Sequence, residues 1–384
     1  MFSRRTEWNL QPNRLTLAHQ EALSGGRKIT DLTISNPTRT EIEYDESAIL
    51  NALSNPRSLD YDPQPKGLLS AREAVSQYYA PTIDAECLIL TTSTSEGYSF
   101  IFRLLCNPGD EILVPKPSYP LFDFLAELQD VSLVPYSLIY DHGWQIDFHS
   151  LETALTPKSR AVVLVHPNNP TGSYISAQER QHLNQLCRRH KLALIVDEVF
   201  LNYAHGKPQP TFAANRDALT FTLSGISKIS ALPQMKLAWI TTSGPPAEVG
   251  PAMQRLEIIA DTYLSLNAPV QLAAPILLDQ RKTIQPQLMN RVRANLAELD
   301  QQLAMQKSCT RLVIQGGWYA VLRIPVIRSD EDFAIELLQR SGVLVHPGHF
   351  YDFPGDGHLI LSLIALQKEF RSGIAAVLES ANDL

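Results

Sequence analysis

The sequence contains little cysteine and no long apolar run, and both shortages exclude classes of protein. Its 384 residues include four cysteines without a CxxC spacing, Cys87, Cys106, Cys187 and Cys309. This spacing argues against a disulfide framework and against a zinc site. The N-terminus lacks the apolar core of a signal peptide, and no stretch approaches the roughly 18 uncharged apolar residues of a membrane span. We therefore expect a soluble, cytoplasmic protein without a metal site.

Positive charge is also scarce. Lysine and arginine number 33 against 40 acidic residues, which gives a net charge of −7. Without a dense basic stripe to neutralise phosphates, the chain is not expected to bind nucleic acid. Hydrophobic residues make up 44% of the chain, so its length permits two domains, or one large domain with a smaller companion.

Short apolar segments alternate with amphipathic helical segments from about residue 70 onward. The apolar segments include CLILTT, EILVP, RAVVLVHP, LALIVDE and ALTFTLS. Strands that are apolar on both faces are typical of a largely parallel sheet covered by helices on both sides. Beyond residue 250, long helical stretches precede two strand-like pieces, WYAVLRIP and GVLVHP, and a helical tail. The pattern predicts an α/β fold with a large domain and a smaller C-terminal α/β domain.

We predict three parts along the chain. Residues 1–48 form an N-terminal arm and part of the small domain, 49–270 the large domain, and 271–384 the small domain. The first fifty residues are polar and interrupted by Pro12 and Pro37, which predicts an arm with one short helix.

Polar residues follow several of the predicted strands. Asn169 follows AVVLV in the segment HPNNPTG, Asp197 ends LALIV, and Lys228 follows LTFTL in SGISKIS. The hydroxyl-rich turn TTSTSEG follows CLIL. Ligands of open parallel sheets collect at the carboxyl ends of the strands, so we expect these groups to share one edge.

This set of groups matches the needs of pyridoxal phosphate. A lysine forms a Schiff base with its aldehyde, and a carboxylate keeps the ring nitrogen protonated. An amide donates to the phenolate oxygen, while N–H groups at a helix N-terminus bind the phosphate.

With these motifs, the chain resembles the fold-type I pyridoxal-phosphate enzymes of the class I/II aminotransferase family over nearly its whole length. NNPTG, the aspartate at a strand end and the SK pair with a basic residue eight positions on occur in the family's order. The resemblance implies that Lys228 forms the Schiff base, Asp197 partners the pyridine nitrogen and Asn169 donates to the ring oxygen O3′.

The same resemblance implies further cofactor contacts and a homodimer. Tyr119 in KPSYPLF matches an aromatic residue that stacks on the ring, and Tyr61 in YDPQPKG matches a tyrosine that reaches the partner subunit's phosphate. The implied phosphate-side residues are Ser93, Thr94, Ser95, Ser224, Ser227 and Lys236.

Several positions depart from the family pattern. Phe200 stands where a tyrosine usually donates to O3′, and Gly225 replaces a phosphate-binding serine. Ser224 and Ser227 are the candidates to compensate for that serine. Lys236 replaces an arginine, which leaves a point charge without a bidentate fork.

The largest departure concerns the arginine that clamps the substrate α-carboxylate. Ile360 occupies its place in the segment LILS. Loss of a charge-assisted bidentate pair weakens carboxylate binding by about 1.5–3 kcal/mol or more. Either another cation replaces the arginine or the substrate is not a typical α-amino acid.

The candidate replacement cations are Arg39, Arg323 and Lys66. Arg39 is the first choice because SNPTR, which also contains Asn36, resembles a substrate-contacting N-terminal loop.

The predicted function is transfer of an amino group between an amine or amino acid and an oxo acid. A lyase or decarboxylase of the same fold uses the same electron sink to break another bond. The third alternative is a catalytically silent protein that kept the fold, although the chain retains Lys228, Asp197 and Asn169.

Overall fold

The computed structural model describes residues 1–120 and 122–382, and it confirms the predicted α/β class. The strands are short, and their bounds in chain order are β1 (Thr30–Asp31), β2 (Leu88–Thr91), β3 (Glu111–Lys116), β4 (Ser132–Tyr140), β5 (Trp144–Ile146), β6 (Ser159–Val165), β7 (Ala193–Asp197), β8 (Thr220–Gly225), β9 (Ala238–Ser243), β10 (Thr310–Arg311), β11 (Tyr319–Arg323), β12 (Val343–Leu344), β13 (His346–Pro347) and β14 (His358–Ser362).

Helices separate most of these strands. Their bounds are α1 (Arg14–Ser24), α2 (Glu46–Leu53), α3 (Leu69–Tyr78), α4 (Thr94–Leu105), α5 (Phe122–Glu127), α6 (Phe148–Thr153), α7 (Ala177–His190), α8 (Ile226–Ile229), α9 (Pro246–Tyr263), α10 (Ala268–Asp279), α11 (Arg281–Leu303), α12 (Asp330–Ser341) and α13 (Gln367–Asn382). None of the helices in the described part of the chain is long and apolar enough to cross a membrane.

The large sheet has the strand order β2-β9-β8-β7-β6-β3-β4-β5 within the described residues. Strands β8, β7, β6, β3 and β4 run parallel to one another. β9 pairs antiparallel with both β8 and β2, so β2 runs in the direction of the parallel strands, and β5 pairs antiparallel with β4. Alternate residues of β7 enter different cores: Ile195 packs with residues of α4 and α9, and Leu194 packs with residues of α7. Burial on both faces explains why these strands are apolar throughout.

A smaller antiparallel sheet in the order β10-β11-β14-β13 lies in the C-terminal part of the chain. Its core includes residues of α11, α12 and α13, and also Leu15 and Leu32 from the N-terminal arm. β1 pairs with β12, so the arm is hydrogen-bonded to the C-terminal part.

The N-terminal region is more helical than predicted. Its first fifty residues contain α1 and the start of α2, where we expected one short helix. The predicted boundary at residue 270 falls inside α10, which packs against α2 and α3. The three-part division of the chain stays a prediction.

Candidate active site

A cavity of about 310 Å³ lies at the carboxyl edge of β6, β7 and β8. From the large sheet and its helices, the cavity is lined by Thr94, Ser95, Asn169, Asp197, Ser227 and Lys228. The opposite wall includes Ser35 of the arm and Tyr319, His346 and Tyr351 of the C-terminal part. The strand-end residues that the sequence singled out therefore meet in one place.

The N-terminus of α4 opens toward this cavity through Thr94 and Ser95. Ser93 is the N-cap, and its hydroxyl oxygen accepts from the Glu96 backbone N–H at 3.1 Å. The Glu96 carboxylate accepts in turn from the Thr92 N–H at 2.7 Å. The Ser93 side chain therefore caps the helix. The hydroxyl residues of this turn that line the cavity are Thr94 and Ser95.

Two hydrogen bonds orient the Asp197 carboxylate at the end of β7. Its Oδ1 accepts from the Val199 N–H at 3.1 Å, and its Oδ2 accepts from the Tyr98 hydroxyl at 3.2 Å. Burial raises the pKa of Asp197 to about 6, against the lowering effect of these two bonds and of Lys228. The two hydrogen bonds hold the carboxylate in place, and a positively charged group in the cavity would stabilise its ionised form.

Tyr98 was not identified from the sequence. It lies one turn after Thr94 on α4 and is 3% exposed. Sequence spacing cannot distinguish a buried tyrosine that contacts a carboxylate from one that only fills the core, so no local signal was available.

Glu198 follows Asp197 directly but faces away from the cavity. Its carboxylate accepts from the Thr211 hydroxyl and the Phe212 N–H, each at 2.6 Å. Burial raises the pKa of Glu198 to about 7. Because successive side chains of an extended chain point to opposite faces, Asp197 lines the cavity and Glu198 lies in the interior.

The two adjacent asparagines also differ in their partners. Asn168 Oδ1 accepts from the Thr171 hydroxyl at 2.9 Å, and its amide donates weakly to Pro117 and Ser118. Asn169 lines the cavity, and its buried Oδ1 has no partner within the described residues. The structure therefore leaves Asn169 available to a ligand.

Lys228 extends toward the opposite wall. Its Nζ donates to the Ser35 carbonyl at 3.4 Å and lies 5.1 Å from the Trp318 ring centroid and 5.6 Å from that of Phe200. Burial lowers the pKa of Lys228 to about 8, which makes the neutral, nucleophilic amine accessible near neutral pH. The Tyr203 hydroxyl donates to the Lys228 carbonyl at 2.6 Å and fixes its backbone.

Close packing of β8 against β9 explains the glycine that replaces a serine. A Cβ at position 225 would lie 2.9 Å from the Leu237 carbonyl oxygen and 2.9 Å from the Ala238 Cβ. Ser227 lines the cavity, whereas Ser224 is buried and donates to the Glu198 carbonyl at 3.5 Å. Of the two candidates for compensation, Ser227 is thus the one that lines the cavity.

Other predicted site residues lie outside the cavity. Lys236 is exposed, and Tyr61 is 85% exposed beside a second cavity that the 60–67 and 264–268 segments line. Asn36 uses its Oδ1 to accept from the Thr38 N–H at 3.1 Å. Tyr119, by contrast, lines the Lys228 cavity and is 44% exposed.

The candidates for carboxylate recognition do not line the cavity either. Ile360 is 1% exposed and Arg39 is exposed on a short turn. Lys66 pairs with Glu86, and the Arg323 guanidinium lies 5.8 Å from the Tyr140 ring centroid.

The residues that do line the cavity fit pyridoxal phosphate. The Asn169 side chain, the oriented Asp197 and the half-buried Lys228 line one cavity. The hydroxyls of Thr94, Ser95 and Ser227 line the same cavity, and α4 begins at Thr94. A helix N-terminus with hydroxyls is suited to a phosphate dianion.

Comparisons with known proteins agree with this chemistry. A family model described as aminotransferase class I and II matches residues 28–365. The chain is 28% identical over 380 residues to an alanine aminotransferase of Mycobacterium bovis, covering 93% of this chain and 87% of that protein.

Two further proteins extend the comparison. A glutamate-pyruvate aminotransferase of Haemophilus influenzae is 26% identical over 380 residues, covering 95% of this chain and 94% of the other. The solved alanine aminotransferase of Pyrococcus furiosus superposes with a TM-score of 0.90 at 21% identity and covers all of both chains, which establishes the shared fold.

Proposed function

Because the chain belongs to the aminotransferase class I and II family and is a pyridoxal-phosphate-dependent aminotransferase, we propose that Lys228 is the residue that binds the cofactor covalently. The observation that carries this assignment is the convergence of Lys228, Asp197 and Asn169 on one cavity. The family resemblance, the fold class, the cofactor and the reaction inferred from the sequence are confirmed by the comparisons.

Each of the other cavity residues has a separate task in this proposal. Asp197 would hold the proton of the ring nitrogen, and the Asn169 amide N–H would donate to the ring oxygen. Thr94, Ser95 and Ser227 would hold the phosphate. Phe200 supplies no hydrogen bond to the ring; its edge packs against Trp318 with the centroids 5.1 Å apart.

Proton transfer is the task of Lys228 once the substrate amine has displaced it. When bound, pyridoxal phosphate supplies a conjugated ring that withdraws electrons from the carbon that carries the amino group. The Lys228 Nζ would take up the proton from that carbon as a general base and then give it back as a general acid. The lowered pKa of Lys228, about 8, suits both directions near neutral pH.

We propose L-alanine and L-glutamate as amino donors, with pyruvate and 2-oxoglutarate as acceptors. The printed names of the relatives, alanine aminotransferase and glutamate-pyruvate aminotransferase, support this choice.

A single-turnover experiment tests the reaction and the donor together. Without an oxo acid, L-alanine should yield one equivalent of pyruvate per site, and turnover should resume when 2-oxoglutarate is added. Release of ammonia or carbon dioxide would instead identify lyase or decarboxylase chemistry. A null result with every amino acid of a panel would reject the proposed donors.

We also propose that the working unit is a homodimer whose Tyr61 reaches the partner's phosphate. Exposed apolar side chains on neighbouring elements support a second copy as the covering partner: Leu50 on α2, Leu59 and Tyr61 after it, and Ile276 on α10 are 60%, 92%, 85% and 44% exposed. The short helix that contains Leu59 packs against α10, as does α2.

Sedimentation of the loaded protein at assay concentration tests the dimer. We expect a dimer, and we expect Leu59→Asp to yield monomers with reduced cofactor affinity. A fully active monomer would reject this part of the proposal.

A further inference from the structure

The cavity wall opposite the large sheet contains one side chain able to carry a positive charge. Among the described residues that line the cavity, Lys228 and His346 are the two that can become cationic. The proposed function assigns Lys228 to the cofactor, and a role for His346 in substrate binding rests on that assignment. His346 is then the remaining lining group that could neutralise an acidic substrate.

The pairing of the small sheet places His346 beside Ile360. His346 in β13 is the antiparallel register partner of Ile360 in β14, and Ile360 is paired on its other side with Val321 of β11. Directly opposed residues in antiparallel strands project from the same face. Tyr319, two residues before Val321, lines the cavity, so this face of the sheet is the one turned toward it.

Depth distinguishes the two partners on that face. Ile360 is 1% exposed and does not reach the cavity, whereas His346 is half-buried and lines it. The isoleucine thus forms apolar support behind the wall, and the histidine presents the polar group at its surface.

One ring nitrogen of His346 is already engaged and the other is available. Nδ1 is 3.1 Å from the Tyr351 hydroxyl, and Tyr351 also lines the cavity. Nε2 makes no hydrogen bond within residues 1–120 and 122–382. The bond at Nδ1 fixes the orientation of the ring, as is typical of histidines that present their second nitrogen to a ligand.

The surroundings of His346 determine its charge. Burial lowers its pKa, and the carboxylate of Asp31 opposes that effect. Burial raises the pKa of Tyr351 well above the neutral range, so this partner stays uncharged. Among its other neighbours, Ile360 and Phe350 are apolar. Burial thus favours the neutral imidazole before a carboxylate binds.

We propose that His346, oriented by Tyr351, binds the carboxylate of the amino-acid substrate and takes up one proton as it does so. Nε2–H donates to a carboxylate oxygen, and the resulting pair replaces the missing guanidinium clamp. The arrangement is weaker than a bidentate arginine and depends on pH: carboxylate binding weakens as the pH rises above the pKa of the free imidazole, until the imidazole of the complex loses its proton as well.

Equilibrium binding of propionate to the cofactor-loaded enzyme tests this proposal without turnover. Propionate carries a carboxylate and no amine, and the cofactor absorbance or the melting temperature reports its binding. We expect the dissociation constant to rise with pH by up to tenfold per unit above the pKa of the free imidazole, as for one proton taken up on binding. In His346→Gln, binding should be about tenfold or more weaker and independent of this proton.

Kinetics with a matched pair of substrates separates recognition from general damage. For L-alanine, kcat/KM should fall about tenfold or more in His346→Gln, while kcat/KM for ethylamine, which lacks the carboxylate, should change less than about twofold. Tyr351→Phe, which removes the bond that orients the ring, should show a smaller loss of the same selectivity. His358→Gln is the control, because His358 lies in the same sheet and does not line the cavity.

The possible outcomes distinguish this inference from the proposed function. If wild-type enzyme converts L-alanine and His346→Gln matches it in both assays, the inference is wrong and the proposed function stands. Equal losses for L-alanine and ethylamine also overturn it, since they indicate a structural role. If wild-type enzyme converts no amino acid, the proposed donors fail, and the inference fails with them.

Discussion

The two walls of the cavity are built in different ways. On the cofactor wall, Asn169, Asp197 and Lys228 follow β6, β7 and β8, three neighbouring parallel strands of one sheet. On the substrate wall, the contributions come from separate places: Ser35 of the arm, and Tyr319 and His346 on different strands of the small sheet.

This difference reflects what each wall must recognise. In the proposed function, the cofactor has one fixed shape and charge distribution, which a few residue types at strand ends can satisfy. The substrate would be recognised by groups that tertiary packing assembles, and these groups can change without altering the cofactor wall. Substitutions on the cofactor wall should therefore lower activity equally for all substrates. Substitutions on the substrate wall should lower activity mainly for substrates that carry a carboxylate.

Removal of the lysine should have the largest effect and should not depend on the substrate. Lys228→Ala should lower kcat by about five powers of ten with L-alanine and ethylamine alike, because both the covalent attachment and the proton carrier are lost. Mass spectrometry after borohydride reduction should find no cofactor attached to the chain. The exposed Lys158 provides a control, Lys158→Ala. A reduced adduct at another lysine in the Lys228 variant would show that the cofactor wall is misassigned.

Replacement of the half-buried Asp197 carboxylate should separate catalysis from stability. Asp197→Asn should lower kcat about a thousandfold for every substrate, because the ring nitrogen loses the partner that holds its proton.

In the cofactor-free protein, by contrast, Asp197→Asn should increase stability. Burial raises the folded-state pKa of Asp197 to about 6, so its ionised form costs stability that the protonated form does not. The cost is absent below the unfolded pKa, near 3.9, grows between about pH 4 and 6, and is constant above that range. The variant should therefore melt at a higher temperature than wild type at about pH 8, with the gap closing as the pH falls. A lower melting temperature at about pH 8 would contradict the proposed stability cost of the ionised Asp197 carboxylate.

The same contrast explains how much could be predicted from the sequence. Lys228, Asp197 and Asn169 follow apolar strands, and a parallel sheet brings such positions to one edge whatever its further details. Tyr98 and Tyr203 contact this group from a helix and a turn, and nothing in their spacing distinguishes them from core tyrosines. The segment VHPGHF resembles the family's small-domain loop near the substrate, but only the pairing of β13 with β14, between residues fourteen positions apart, places His346 beside Ile360. Ile360 departs from the family pattern, and the sequence contains no information that it lies behind the wall.

A smaller effect is expected from the residue that orients the carboxylate. The Tyr98 hydroxyl donates to Asp197 and lowers its pKa, so Tyr98→Phe should raise that pKa. Loss of one such bond should lower kcat about tenfold for all substrates and move the acid limb of the pH–rate profile to higher pH. Tyr136→Phe is a matched control, because it removes a buried hydroxyl that donates to the Val163 carbonyl instead. A loss confined to substrates that carry a carboxylate would place Tyr98 with the substrate wall and contradict its assignment to the cofactor wall.

The smallest effect on KM is expected for Arg39→Ala. This substitution tests whether Arg39, instead of His346, binds the substrate carboxylate. Its side chain is exposed and does not line the cavity, whereas His346 does. Arg39→Ala should therefore change KM for L-alanine by less than about threefold, as is usual for an exposed charge. KM for ethylamine, which has no carboxylate to lose contact with, serves as the internal reference. A rise of about a hundredfold for L-alanine alone would show that the arm closes over the substrate and that Arg39 supplies the clamp. In that case the substrate wall would be completed by a movement of the segment around Ser35, and His346 would have to be reassigned to a supporting role.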